Sequence, residues 1–251
     1  MSAISYQGET IWIIGASSGI GHALAVDLAA RGATVVLSAR RREVLETLKA
    51  RIGERHLVFP LDVTDSEMTQ RTAQAIRAAC GRIDRVLFMS AAYTPMTLDA
   101  LDLAVTRHTI EVNLLGAFHV VHAVLPLLRE QNSGQIALCG SVAGYTGLPG
   151  GQPYSATKAA IINLAETLRA ECPKTIDVKL ISPGFVQTPL TDKNTFSMPM
   201  ILTPEAAAKA IAHGLRAKRF EIHFPWKFTL MLKLLALLPY PLKFWITHSI
   251  R

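Results

Sequence analysis

A chain of 251 residues that is 50% apolar and only 18% charged holds enough hydrophobic material for one full core, which excludes a disordered protein and leaves little room for a second large domain. Its net charge of +7 is uneven: residues 1–205 carry 18 basic and 18 acidic side chains, whereas residues 206–251 carry eight basic ones against Glu221 alone, as expected of an interface or an attraction to an anionic surface. Cys80, Cys139 and Cys172 are odd in number and widely spaced, which excludes a disulfide framework and a cysteine metal site.

From the chain start, Met1 to Tyr6 shows no basic region followed by an apolar core, so no secretory leader is expected and a cytoplasmic location is. The β-branched and aromatic run 10–14 meets the turn Gly15-Ala16-Ser17-Ser18-Gly19-Ile20-Gly21, and an apolar helical pattern follows over 20–30. Gly32 ends that helix, and 33–38 reads as a strand buried on both faces. Further strands are expected at 56–61, 85–89, 135–140, 177–181 and 220–224, with helices notably at 65–80, 98–131, 154–171 and 204–217. Regular alternation of this kind predicts an α/β fold: one doubly wound parallel sheet of about seven strands with helices on both faces.

Two segments break the rhythm. Residues 189–203 form a long connection after a strand's carboxyl end, a candidate substrate lid containing Met198 and Met200. Residues 226–251 extend the catalytic domain of 1–225, and within them 228–238 is apolar nearly all round apart from Thr229 and Lys233. Eleven helical residues rise only about 16 Å, too short for a bilayer core of about 30 Å. Docking at a membrane interface, packing in an oligomer and walling a substrate pocket are all open for this segment; Lys227, Lys233 and Lys243, preceded by Arg216, Lys218 and Arg219, suit anionic lipid.

Glycines in a strand-to-helix turn let backbone approach a pyrophosphate, whose charge the helix N-terminus stabilises, so 15–21 is a candidate dinucleotide site. At the end of the second strand, where an acid would bind a ribose 2′-hydroxyl, stands Ala39-Arg40-Arg41-Arg42. Arginine grips a 2′-phosphate instead, which predicts NADP over NAD, with Arg40 as the main contact and Ser17, Ser18, Ser38 or Arg41 in support. Farther on, a helix would bring Tyr154 and Lys158 onto one face with Ser141 upstream. A neighbouring cation lowers a phenol's pKa, making Tyr154 a candidate proton donor to a carbonyl or acceptor from an alcohol. His119, His122, Trp12 and the scattered methionines read as packing residues.

Together the glycine turn, Asp62-Val63, Asn113 in Glu111-Val112-Asn113-Leu114, Ser141, Tyr154-x-x-x-Lys158 and Pro183-Gly184-x-Val186-x-Thr188 resemble the classical short-chain dehydrogenase/reductase family from about Thr10 to about Leu190. The resemblance implies a Rossmann-like fold in which Gly15, Ser17, Ser18, Gly19, Ile20 and Gly21 cradle the dinucleotide and Asp62 and Val63 flank its adenine. It implies that Val186 and Thr188 hold the nicotinamide carboxamide, with Ala91, Pro183 and Gly184 beside the cofactor. Tyr154 would be the acid/base, Lys158 would lower its pKa and bind the nicotinamide ribose, Ser141 would bond the substrate oxygen, and Asn113 would hold a water linking Lys158 to solvent. That chemistry needs no metal. The chain departs from the family at Ile14 and at Met89-Ser90-Ala91-Ala92, where Asn-Asn-Ala-Gly is usual, which bears on cofactor affinity or local stability and not on proton transfer.

The resulting expectation is an NADP(H)-dependent carbonyl reductase or alcohol dehydrogenase acting on a small hydrophobic substrate. It would form a homodimer or homotetramer through 98–131 and 154–171, with no nucleic-acid partner and with peripheral membrane contact through 226–251 as one reading. The competing expectation is a non-catalytic dinucleotide-binding or membrane-surface scaffold of the same fold.

Overall fold

The structure is a computed structural model that describes residues 4–248; residues 1–3, within the expected leader-free start, and 249–251, the end of the basic tail, lie outside the described residues. Seven parallel strands form one sheet in the order β3-β2-β1-β4-β5-β6-β7. They are β1 (Thr10–Ile14), β2 (Thr34–Ser38), β3 (Leu57–Val58), β4 (Arg85–Phe88), β5 (Gly134–Cys139), β6 (Ile176–Pro183) and β7 (Glu221–Phe224). The helices are α1 (Gly19–Ala30), α2 (Arg42–Ile52), α3 (Ser66–Cys80), α4 (Leu103–Ile110), α5 (Gly116–Glu130), α6 (Tyr154–Glu171), α7 (Pro204–Arg216), α8 (Trp226–Leu237) and α9 (Tyr240–His248).

Side-chain alternation along each strand divides the core in two. On β1, Ile11 and Ile13 point into one apolar layer, with Leu24 and Leu28 of α1 and Ile211 of α7. Trp12 and Ile14 point into the other, with Ile76 of α3, Val120 and Val124 of α5, and Ile161 and Leu164 of α6. Trp12 is wholly buried, and its Nε1 donates to Ser38 Oγ at 2.8 Å.

The helix ends follow local chemistry. Asp65 caps α3 by accepting the Met68 N–H, and Gly81 closes it in the left-handed conformation. Thr203 caps α7, with Pro204 at its first position. The stretch expected as one helix over 98–131 is divided: Leu98–Ala100 is a single 3₁₀ turn, and Asp102 then caps α4 by accepting the Ala104 and Val105 N–H groups. A π turn, Glu111–Leu115, joins α4 to α5. Leu103–Glu130 is long and apolar enough to cross a bilayer by length and composition, yet Ala117, Val120, Val124 and Leu128 are buried in the second layer.

Two strands differ from expectation. β6 runs longer, to Pro183. β3 shrinks to two residues: Phe59 and Leu61 still donate to Leu37 and Ala39, but Pro60 between them has no N–H. His56, expected inside that strand, is buried, and its Nδ1 accepts the Val35 N–H at 3.0 Å. That bond requires a neutral ring, and burial with the Arg55 charge holds its pKa below the ordinary 6.5. With the folded pKa below the unfolded one, a proton favours the unfolded chain. The stabilisation is therefore complete above pH 6.5 and is lost as pH falls through the window beneath it. Thermal melts across pH should show the midpoint falling on acidification below that value, with a shallower slope in His56→Asn; identical slopes would show that His56 is not the titrating group.

Candidate active site

In an open parallel sheet the strand carboxyl ends face one crevice, and here that crevice is a cleft of about 600 Å³. Gly15, Ser17, Ser18, Gly19, Ile20 and Gly21 enter it after β1, Arg40 and Arg41 from β2, Asp62 and Val63 from the connection after β3, and Ala91 after β4. Ser141 follows β5, Tyr154 and Lys158 stand on α6, and Pro183, Gly184, Val186 and Thr188 come from the end of β6. Asn113 does not line the cleft; it is fully buried behind it.

The glycine turn is shaped by what it touches. Gly15 has φ +99°, and a Cβ there would lie 2.7 Å from the Ser90 N and 2.9 Å from the Met89 carbonyl carbon. A Cβ on Gly21 would lie 2.2 Å from the Gly15 carbonyl oxygen. The first turn of α1 has no side-chain cap and no acidic residue, so its N–H groups and positive dipole end are directed at the cleft unopposed. This cradle fits a pyrophosphate. Because the turn meets Met89-Ser90 through backbone, the altered side chains there leave the contact intact. Asn113 braces the same segment, accepting the Ala92 N–H at 2.6 Å and donating to the Ala92 carbonyl at 3.0 Å and to Thr157 Oγ1 at 3.1 Å. Its position on the π turn is what aims it there.

On the β2 side of the cleft, Arg41 Nη2 donates to Ser17 Oγ at 3.3 Å. Burial alone would raise the pKa of Asp62, but the Thr64 N–H and hydroxyl and the Arg40 guanidinium outweigh it and hold the carboxylate below its usual range. Ser38, expected to support a 2′-phosphate, is fully buried; its hydroxyl donates to the Phe59 carbonyl and accepts from Trp12, so it is unavailable to a ligand.

On the α6 side of the cleft, Lys158 is buried and its Nζ donates to the Cys139 carbonyl at 2.7 Å while lying 5.4 Å from the Tyr154 ring centre. Burial lowers its pKa, partly offset by the neighbouring Cys139. The expected depression of the Tyr154 pKa is not seen: burial of the phenol raises it well above 10, and the Ser141 hydroxyl pulls only part of the way back. A phenolate enclosed in low dielectric, with the ammonium turned to a carbonyl, is the less stable form, so the phenol stays protonated at neutral pH.

The sequence pattern of the short chain dehydrogenase family matches residues 9–198. The chain belongs to that family. It is 32% identical over 246 residues to an uncharacterized oxidoreductase of Myxococcus xanthus, covering 96% of each chain, and 36% identical over 230 residues to one of Listeria innocua, covering 84% of this chain and 92% of the other. A short-chain dehydrogenase/reductase from Burkholderia phymatum in complex with NAD superposes with a TM-score of 0.85 at 22% identity, over 92% of this chain and 94% of that one. An alcohol dehydrogenase from Thermococcus sibiricus complexed with 5-hydroxy-NADP superposes at 0.79 and 26% identity, over 86% and 95%.

In this family member several residues near the cleft carry no sequence motif. Tyr93 meets Tyr154 edge-on with ring centres 5.1 Å apart, and its hydroxyl donates to Asn194 Oδ1 at 2.7 Å. Lys193 Nζ donates to the Tyr93 carbonyl at 2.7 Å, so Tyr93 ties segment 189–203 to Tyr154. That segment is pinned at its base by Val186 pairing with Leu202. Its methionines do not face the cleft: Met200 is exposed, and Met198 Sδ accepts from Asn194 Nδ2 at 3.3 Å. Met231 is exposed too, and His122 lies exposed on α5, so neither packs as expected, while His119 Nδ1 bonds the Val63 carbonyl at 2.9 Å.

The C-terminal segment meets the site from behind. Phe228, Leu232 and Leu235 of α8 pack on Val142, Tyr145, Leu148 and Phe185. The Tyr145 hydroxyl donates to Glu221 Oε1 at 2.5 Å, and Lys233 pairs with the same carboxylate. Burial would raise the Glu221 pKa, but these two hydrogen bonds hold it below its usual range. The turn carrying Ser141 is thereby anchored through Tyr145 to β7 and α8. No periodicity signalled this, because the partners are separated along the chain and meet only in the fold.

Proposed function

We propose that this protein is an NADP(H)-dependent oxidoreductase that interconverts a ketone or aldehyde and an alcohol on a small hydrophobic substrate, with Tyr154 as the acid/base. The observation that carries the reading is the half-buried Tyr154, its phenol beside the Ser141 hydroxyl and its ring above Lys158, in the same cleft as an uncapped α1 N-terminus. When bound, the nicotinamide supplies hydride to the carbonyl carbon. Tyr154, kept protonated by burial, then donates its proton to the developing alkoxide. Ser141 is the second donor to that oxygen and fixes its direction. Lys158 stands beside the phenol ring, and its ammonium, by turning from the Cys139 carbonyl, would stabilise the anion once the proton has left. Gly15, Ser17, Ser18, Gly19, Ile20 and Gly21 would hold the pyrophosphate, Asp62 and Val63 would border the adenine, and Val186 and Thr188 would border the nicotinamide.

Arg40 and Arg41, with no acid at the end of β2, support NADP over NAD. The similar solved structures hold both kinds of dinucleotide, NAD in the Burkholderia phymatum protein and 5-hydroxy-NADP in the Thermococcus sibiricus enzyme, so the choice rests on the two arginines. The double variant Arg40→Asp/Arg41→Asp should weaken NADPH binding by about 10- to 100-fold, the loss of one to two charge-assisted hydrogen bonds, with little effect on NADH. Titration of both dinucleotides checks it, and equal losses would remove the arginine pair from the site. The reaction itself is tested by NADPH consumption over a panel of apolar ketones and aldehydes. Turnover that no substrate elicits would leave a dinucleotide-binding scaffold as the correct reading.

A further inference from the structure

We propose that α8 and α9 form a docking surface for an anionic lipid bilayer, a property separate from whatever reaction the cleft performs. The helix that was expected to be apolar all round turns out to have two differently used faces. Phe228, Leu232 and Leu235 pack inward beside the Ser141 turn. The opposite face leaves Leu230, Leu234 and Leu237 in water, with Leu237 82% exposed, and Trp226 (61%), Tyr240 (69%) and Trp245 (72%) border it. A cluster of this size and aromatic content on the outside of a folded chain marks a contact surface.

Charge and length select the contact. From Trp226 to His248 there is no acidic residue. Glu221, the one acid of residues 206–251, is already engaged by Lys233 and Tyr145. Lys227 and Lys243 stand over the rings of Trp226 and Tyr240, 5.8 and 5.1 Å from their centres. A second copy of the same face would bring lysine to lysine with no carboxylate to pair with, which is unfavourable. Lipid phosphates suit both lysines, of which Lys243 also donates to the Ala236 carbonyl at 2.8 Å, while the tryptophan and tyrosine rings suit the boundary between headgroup and acyl chain. α8 has 12 residues, a rise of about 18 Å, so it would lie along the surface and not cross it. Arg216, Lys218 and Arg219 take no part: β7 separates them from α8 by its length, and Arg216 is paired with Glu9 at 2.5 Å. The apolar surface continues instead into segment 189–203, where the exposed Phe196 meets Phe185 at 5.8 Å, and Phe185 in turn meets Phe228 at 5.4 Å.

The test uses the full chain with phosphatidylcholine vesicles, with and without phosphatidylglycerol. Of the three tryptophans Trp12 is already buried, so a blue shift of fluorescence on adding vesicles reports Trp226 and Trp245. The expected result is a blue shift and co-flotation with phosphatidylglycerol vesicles. Lys227→Ala/Lys243→Ala should weaken that partition by roughly 30-fold, as two surface lysines contribute. Leu237→Glu/Trp226→Glu should abolish partition with an unchanged melting temperature, because both side chains are exposed. No shift and no flotation would overturn the proposal. So would a dimer that the Leu237→Glu/Trp226→Glu variant converts to monomer while vesicles have no effect on either form, since a second copy would then be the occupant.

Discussion

Tyr154→Phe is expected to lower the rate of carbonyl reduction by about 10²- to 10⁴-fold, the usual contribution of a positioned general acid, while dinucleotide binding stays near that of the parent. The ring of Tyr154 is half-buried at the start of α6 and packs edge-on against Tyr93 at 5.1 Å, a contact that phenylalanine keeps. Lys158 retains its bond to the Cys139 carbonyl, so the base of the site does not reorganise. What is lost is the hydroxyl facing Ser141, and with it the proton that would pass to a developing alkoxide; the Ser141 hydroxyl remains as a hydrogen-bond donor. Single-turnover rates with NADPH and a ketone that the parent reduces, alongside a fluorescence titration of NADPH, separate the two effects. Equal rates for parent and variant would mean that the proton comes from elsewhere. A parallel loss of NADPH affinity would mean instead that the phenol holds the dinucleotide.

The second large effect is expected at a residue with no polar atom in its side chain. Gly144 ends the 3₁₀ turn after Ser141, donating its N–H to the Ser141 carbonyl at 3.0 Å. A Cβ there would lie 2.7 Å from the Lys158 carbonyl carbon and 2.8 Å from the Ala159 N, both backbone atoms of α6. Neither can rotate away, so Gly144→Val must push the Ser141 turn off the helix that carries Tyr154 and Lys158. Overpacking of this kind costs about 1–3 kcal/mol, and a misplacement of roughly 1 Å between reacting groups costs about 10²-fold in rate. The expected outcome is a fall in kcat of that order with a melting temperature lowered by a few degrees and NADPH affinity retained, because the glycine cradle lies on other strands. Gly147→Ala is the matched control, since a Cβ there meets nothing within 4 Å. A Gly144→Val enzyme with the parent's kcat would show that the turn is not held in register by this contact.

Much of this architecture was legible in the residues. Strand and helix alternation gave the parallel sheet, because buried strands are short β-branched runs and the helices between them repeat apolar residues at 3.6. The glycine turn, Ser141, Tyr154 and Lys158 were legible because their spacing along one strand end or one helix face is set by local geometry. α2 left only a weak trace: Leu45 and Leu48 are its buried residues, within a segment otherwise dominated by arginine and glutamate. The end of β3 was misread for a similar reason, as Pro60 interrupts the pairing and His56 turns inward to bond Val35.

What no local pattern carried was decided by packing between distant segments. The pKa of Tyr154 moves upward because the fold encloses the phenol and turns Lys158 toward Cys139, and a dielectric environment is a property of the whole neighbourhood. Tyr93 and the Tyr145–Glu221–Lys233 cluster became part of the site's surroundings only when segments up to 101 positions apart, Tyr93 to Asn194, met in the fold. The tail shows the division most plainly. Its composition announced an apolar, basic segment and left three uses open, because hydrophobicity names no partner. Folding buried one face of α8 beside the Ser141 turn and left the other in water, since a helix offers two faces and the edge of the sheet has room for one.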